Sequence, residues 1–343
     1  QSLFPAHSFY AFVQSTEVLN MGAVVRIKSQ SSLATDFPAA IDAFLSYAES
    51  KNLSKKTLDY YYFSLLPFTR FLNAHYPGIT PEEITPAIIR EAVTWQREKS
   101  SPATANHCLA LIKRLYNFLV NEGYIAENPA AKVEKLRTTQ KVIETFSSEQ
   151  IEKVLNACEG REFVDVRDKA ILLLLLDTGL RASELCGITF QDINLDAQTL
   201  HIRHGKGDKE RTVPFGHGVK QALSQYLRMR EGIESSHLFI TRDCNPLDRY
   251  RLKDLVRRRC KRAGITGIRP SPHTLRHTAA VFYLRAGGDT FTLQKLLGHS
   301  SQEMTRRYCE SLSAEDVQQK HREYSPVDNM KLRSPKVGRK RLR

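Results

Sequence analysis

Apolar residues recur at helical spacing over much of the first 130 positions. Phe37, Ile41, Phe44, Leu45 and Ala48 follow Asp36, a residue suited to cap a helix N-terminus, and predict a first helix. A second opens after Ser54 and carries Leu58, Tyr62, Leu65, Phe68 and Leu72, with Pro67 predicting a kink or break. Thr85-Pro86 and Ser101-Pro102 each offer a cap followed by proline at the first helical position. They open helices through Ile88, Ile89 and Val93 towards Trp95, and through Leu109, Ile112, Leu115, Tyr116 and Leu119. Gly123 and Asn128-Pro129 close the last of these. Four or five helices without a strand signal predict an all-helical domain.

The basic stretch from Ala130 to Lys141 has little apolar periodicity and reads as an exposed linker. Periodicity resumes at Ser147-Ser148-Glu149-Gln150, a capping box ahead of Ile151, Val154 and Leu155. A helix over about Val166–Asp177 stops at Thr178-Gly179. The pattern then changes period: Thr199–His204 and Glu210–Phe215 alternate as strands around Gly205-Lys206-Gly207-Asp208-Lys209, a hairpin with a basic turn. Helices return near Val219 and Leu252. The expected organisation is an extension over residues 1–34, a helical domain over 35–133, a linker over 134–145 and a second domain over 146–325. Residues 326–343 form a basic tail of disordered composition. The fold class is mainly α with a small β-hairpin or sheet in the second domain.

Charge narrows the partners. The 343 residues hold 51 Lys and Arg against 37 Asp and Glu, a formal charge of +14, and 41% are hydrophobic. A folded protein with that excess cation suits a polyanion, because neutralising phosphates releases counterions. Cys108, Cys158, Cys186, Cys244, Cys260 and Cys309 are scattered without a CxxC pair, which argues against a disulfide scaffold or a thiolate zinc site. The longest apolar run, Ala170 to Leu176, is far short of the ~18 residues of a membrane span. No membrane partner is expected, and the reducing interior of a cell is the expected setting.

The candidate chemistry lies in the second domain. Ser271-Pro272 opens a helix with His273 in its first turn and Arg276 three residues on, a setting for an anion. His273 and His277 also have the i,i+4 spacing of a zinc pair, but the glutamate of a metalloprotease helix is missing. Asp289 caps a helix ending at Gly298, and Ser300-Ser301-Gln302-Glu303 reads as the capping box of the next, so His299 falls in the turn and Tyr308 two turns beyond. Arg181 follows the Thr178-Gly179 helix stop, and its guanidinium fork matches two phosphate oxygens. Lys206 in the hairpin turn has the reach of a proton donor. Each of these has a plainer reading as a core tyrosine, a surface ion-pair partner or a solvated lysine.

Taken together the motifs resemble those of the tyrosine recombinase (integrase) family, in the Xer-like and mobile-element branch. Thr178-Gly179-Leu180-Arg181-Ala182-Ser183-Glu184-Leu185, Gly205-Lys206-Gly207, His273-Thr274-Leu275-Arg276-His277 and Leu297-Gly298-His299-Ser300-Ser301 before Tyr308 occur in the family's order and spacing. The resemblance runs from about Asp36 to Tyr324. It implies a two-domain DNA clamp, with residues 35–133 as the helical, SAM-like core-binding domain and 146–325 as the catalytic domain. It further implies that Tyr308 attacks the scissile phosphate to form a 3′-phosphotyrosyl link while Arg181 and Arg276 hold the non-bridging oxygens. Lys206 would protonate the departing 5′ oxygen, His273 would manage the tyrosine proton, and His299 would bond the phosphate, with Glu184 left to support the fold of the site.

The implied partners are double-stranded recombination sites and three further copies of the chain, a homotetramer passing through a Holliday junction, with accessory DNA-binding proteins left open. No cofactor or metal is implied: the phosphotyrosine conserves bond energy, two arginines and a lysine supply positive charge, and no clustered carboxylate set of the two-metal kind is present. A tyrosine of pKa ~10 is only ~0.1% ionised at neutral pH, so the site must help it lose its proton. The setting implied is the cytoplasm, at the nucleoid. Two rival readings are a type IB topoisomerase, which relaxes a single duplex, and a DNA-binding protein without catalysis. The separate helical domain, the motif spelling and the filled catalytic positions favour recombination. The basic tail favours a mobile element over chromosome or plasmid dimer resolution.

Overall fold

The computed structural model describes residues 36–138, 143–203, 210–299 and 301–325. The expected N-terminal extension, the basic tail and the hairpin turn with Lys206 lie outside the described residues. The chain divides into two units, residues 1–140 and 141–343.

The first unit is four helices, α1 (Phe37–Ser50), α2 (Lys55–His75), α3 (Pro86–Lys99) and α4 (Pro102–Asn121). Ser54, Thr85 and Ser101 each accept the backbone N–H three residues on, so three of the starts are made by their own caps. Asp36 occupies the cap position of α1 without a side-chain bond. Helix α4 touches the other three and is the centre of the unit. Its Ala105, Leu109, Ile112, Leu115, Tyr116 and Leu119 are all fully buried, and each such Leu or Ile contributes roughly 1.5–3 kcal/mol. Helix α2 runs unbroken through Pro67, against the sequence expectation of a kink or break. The carbonyl that loses its partner there belongs to Phe63, which is exposed to water, while buried Leu65, Phe68, Phe71 and Leu72 hold both halves to one core.

The stretch expected as an exposed linker is anchored at both ends. Ala130 and Val133 are buried in the first core, and the Asn106 side chain bonds both the N–H and the C=O of Leu136 at 2.8 Å. In the second unit Ile143 packs beside Tyr308, and the Phe146 N–H donates to Thr278 Oγ1.

The second unit runs α5 (Ser148–Asn156), α6 (Phe163–Thr178), α7 (Ala182–Gly187), a 3-10 turn at Phe190–Asp192, then β1 (Ile193–Asn194), β2 (Thr199–Ile202) and β3 (Arg211–Pro214). Among the described residues six helices follow the sheet, α8 (His217–Met229), α9 (Arg249–Arg262), α10 (Pro272–Arg285), α11 (Thr290–Leu297), α12 (Gln302–Cys309) and α13 (Ala314–Tyr324). The run Ala170–Leu176 of α6 is apolar because α8 and α10 cover it, and the buried Arg167 and Asp168 of its first half are paired with each other. The sheet is antiparallel in the order β1-β2-β3, with Leu200 opposite Val213 on the buried face and Ile202 opposite Arg211 at the open end. That register sets Arg211 beside the loop after α6.

Candidate active site

The site is assembled at the ends of helices. Helix α6 stops at Gly179, whose φ of +60° suits glycine, and a Cβ there would come within 2.5 Å of a Leu297 methyl. The chain then turns into α7, and Glu184 reaches back to accept the Arg181 backbone N–H at 2.8 Å. Helix α11 ends in the same way at Gly298, φ +63°. Two helix C-termini thus meet, each bringing carbonyls without helical partners and the negative end of a dipole.

Arginines satisfy them. Arg276, on α10, donates to Gly179 O at 2.6 Å and to Leu297 O at 2.8 Å. Arg181 donates to Gly298 O at 2.8 Å and to Glu184 Oε1 at 2.7 Å. Arg211, from β3, completes the set with Nε on Leu296 O at 3.1 Å and both terminal nitrogens on the Glu184 carboxylate. Burial by itself would push the Glu184 carboxyl up, but Arg211 and the Arg181 N–H overcome it and hold the group down at about 2. Burial and the neighbouring Arg181 lower Arg276 to about 10, which leaves it charged at neutral pH.

His299 and Tyr308 follow from the α11–α12 turn. The N-cap of α12 is Ser301 and no capping box forms, a correction to the box expected from Ser300. With the helix starting at Gln302, the third helical position is Met304, which has no acceptor for such a box; Ser300 itself lies outside the described residues. His299 is buried, its Nδ1 3.0 Å from Thr305 Oγ1 and its ring stacked on that of Tyr308. Tyr308 packs against Ala280, Val281, Leu284, Leu293 and Leu297. Burial raises its phenol above the usual value, while Arg276, Arg307 and Arg181 pull it back. The Tyr308 hydroxyl lies 3.0 Å from Nδ1 of His277, one turn along α10 from His273.

Arg181, His273, Arg276, His299 and Tyr308 line one cleft of about 350 Å³, together with Arg249 and Arg307. Five of the six residues singled out in the sequence therefore come together; the sixth, Lys206, lies outside the described residues. His273 is exposed and its ring meets that of His277 at 4.2 Å. Of the two α10 histidines, His277 is the one whose ring nitrogen lies at hydrogen-bond distance from the Tyr308 hydroxyl. Among the described residues no three metal-ligating side chains gather, so the i,i+4 pair stands beside a tyrosine and not in a metal cluster. Sequence reading missed Arg211, Thr305, Arg249 and Arg307; the pairing of Arg211 with Glu184 had no local signal, being 27 residues apart.

A buried tyrosine hydroxyl ringed by guanidinium groups has the chemical elements needed to attack a phosphodiester, a nucleophilic oxygen and fixed positive charge for phosphoryl oxygens. Residues 144–315 match the Phage integrase family, and residues 41–125 match the Phage integrase N-terminal SAM-like domain. Tyrosine recombinase XerC of Thermodesulfovibrio yellowstonii is 32% identical over 278 residues, covering 78% of this chain and 90% of that protein. Tyrosine recombinase XerD of Shewanella oneidensis is 32% identical over 293 residues, covering 83% and 96%.

Two solved structures share the fold. XerH site-specific recombinase bound to palindromic difH substrate superposes with a TM-score of 0.70 at 20% identity, covering 87% of this chain and 97% of that one. A lambda integrase dimer bound to a COC′ core site gives 0.66 at 21%, covering 78% and 96%. Fold and site define a DNA breaking-rejoining enzyme of the tyrosine recombinase class. The chain belongs to the phage integrase family.

Proposed function

We propose that this enzyme recombines DNA at specific sites, cutting and resealing duplex strands through a 3′-phosphotyrosyl link on Tyr308. The observation that carries the reading is the single cleft in which Tyr308 meets Arg181, Arg276 and His299 from separate helix ends. Arg181 and Arg276 spend some N–H groups on backbone carbonyls and keep others for the two non-bridging oxygens. His299 Nδ1 is engaged with Thr305 Oγ1, and its Nε2 is the ring nitrogen proposed to meet the phosphate. Glu184 acts through Arg181, which it orients. Lys206 takes the role of acid for the 5′ oxygen, and His273, expected to manage the tyrosine proton, lines the same cleft. Although its ring reaches solvent, partial desolvation against the cleft wall, then Arg276 beside it, lowers the His273 pKa.

Residues 35–133 serve as the core-binding domain and 146–325 as the catalytic domain, closing on duplex DNA as a clamp. The family likeness supports a homotetramer on paired sites with a Holliday-junction intermediate, the state in which a lambda integrase tetramer has been solved. The substrate is the end of a mobile element or a DNA dimer awaiting resolution. No helix among the described residues is long and apolar enough to cross a membrane, and DNA in the cytoplasm, at the nucleoid, is the proposed place of action.

The test incubates wild type and Tyr308→Phe with candidate sites nicked near the cleavage point, so that the covalent intermediate is trapped, and reads a denaturing gel. A protein-linked DNA band in wild type alone is expected. A band that survives in Tyr308→Phe removes Tyr308 as nucleophile, and no band on any bound site removes the recombinase reading.

A further inference from the structure

When the Tyr308 oxygen bonds to phosphorus its own proton must leave. Arg181, Arg249, Arg276 and Arg307 around the cleft are cations without a lone pair to receive it. His299 has Nδ1 engaged with Thr305 and lies with its ring parallel to that of the tyrosine. His273 meets the ring of His277 and makes no hydrogen bond to the phenol among the described residues. His277 has Nδ1 3.0 Å from the phenol oxygen and is not among the residues that line the cleft. Of the described side chains around the phenol with a lone pair, it is the one within hydrogen-bond distance of the oxygen.

We propose that His277 receives the Tyr308 proton during strand cleavage and returns it during rejoining, an assignment that rests on Tyr308 being the nucleophile. As the Oη–P bond forms and the P–O5′ bond breaks, the phenol proton passes to Nδ1 and the 5′ oxygen takes one from the acid of the site. In the reverse step the 5′ hydroxyl attacks, gives its proton back to that acid, and Nδ1 reprotonates Tyr308.

The charges around His277 fit a base that works only on bound DNA. It faces His273 and Arg276 on its own helix, Arg307 and Tyr308 on α12, and His299 in the turn before α12. Burial, then His273, Arg276 and Arg307, hold its pKa at about 4, so the free protein keeps it neutral and able to accept a hydrogen bond. A scissile phosphate among the arginines brings negative charge into the cleft and favours the imidazolium.

The experiment measures covalent-complex formation on a nicked site by the full chain, for His277→Ala and His277→Asn, each with tyrosine or trifluorotyrosine at position 308. Gel shift and thermal melting establish that the variants bind DNA and fold. Both should be slowed by about 10²-fold or more, since asparagine can hold the hydroxyl but cannot take its proton. The acidified phenol, which ionises without a base, should restore most of the rate in both. Wild-type speed in His277→Asn, or no recovery with trifluorotyrosine in a folded, DNA-binding variant, would overturn the assignment and leave His277 as packing. Failure of wild type itself to form the adduct is a different result and condemns the recombinase reading.

Discussion

Arg211 lies with its two terminal guanidinium nitrogens each 2.9 Å from an oxygen of the Glu184 carboxylate, which is almost wholly buried. The pair joins the sheet to the start of α7 and, through Glu184, fixes the Arg181 side chain that faces the cleft. Arg211→Ala leaves that carboxylate with one cationic partner. Breaking a buried pair of this kind costs about 3–5 kcal/mol. The melting temperature should fall by roughly 6–20 °C for a unit of this size, and covalent-complex formation should fall with it. Arg211→Lys should recover little, because a point charge cannot match both oxygens. An unchanged melt would show that the ion pair is not what holds α7 in place.

Arg181→Lys tests the phosphate role proposed for Arg181 by separating charge from geometry. The lysine keeps the cation but cannot bond Glu184, Gly298 O and a phosphate oxygen together. Strand cleavage should fall by about 10²–10³-fold with site affinity nearly unchanged, in line with removal of one preorganised donor. A single-turnover gel assay beside a gel shift reads both. Equal loss of binding and cleavage would make Arg181 a docking residue.

Gly298→Ala tests the α11 terminus. The backbone there has φ +63°, and a Cβ would lie 2.9 Å from an Arg211 terminal nitrogen. The αL conformation alone costs roughly 1–2 kcal/mol, and Arg211 must move off Leu296 and Glu184 to make room. A lowered melting temperature and slower cleavage are expected together. A melt within error of wild type would mean that the turn relaxes without disturbing Arg211.

Acid should weaken the catalytic unit before it affects the carboxylates. His277 and His299 are both lowered to about 4, chiefly by burial, from an unfolded value near 6.5. Below 6.5 the unfolded chain binds protons that the folded one refuses. The stability these two residues allow is therefore complete above pH 6.5 and is lost as pH falls towards 4, by about 1 kcal/mol per histidine at pH 5.5. Glu184, held at about 2, loses its contribution only below the usual glutamate range. Melting curves from pH 7.5 to 4.5 should show the decline, and His299→Gln should flatten part of it. A flat profile over that window would mean that both rings titrate in the native state as they do in the unfolded chain.

Whatever depends on neighbours three or four residues apart was legible in the sequence. Ser54, Thr85, Ser101, Ser147 and Ser271 all cap the helices their spacing announced, because a side-chain bond to the third residue on is settled before any packing. Gly179 and Gly298 mark helix ends for the same local reason, and the hairpin followed from its period of two. The order of the motifs was likewise enough to nominate the nucleophile and its arginines.

Tertiary structure alone decided the rest. Pro67 did not break α2, since burial on both sides of it outweighs one lost hydrogen bond, and the supposed linker gained anchors in each core. Arg211 found Glu184 across 27 positions and Tyr308 found His277 across 31. Those partners are chosen by where helix ends and strand register bring side chains, a three-dimensional outcome that no local pattern encodes. Of the 13 tyrosines in the chain, Tyr308 was nominated by its place in a motif, but its setting of arginines and histidines was set by the fold around it.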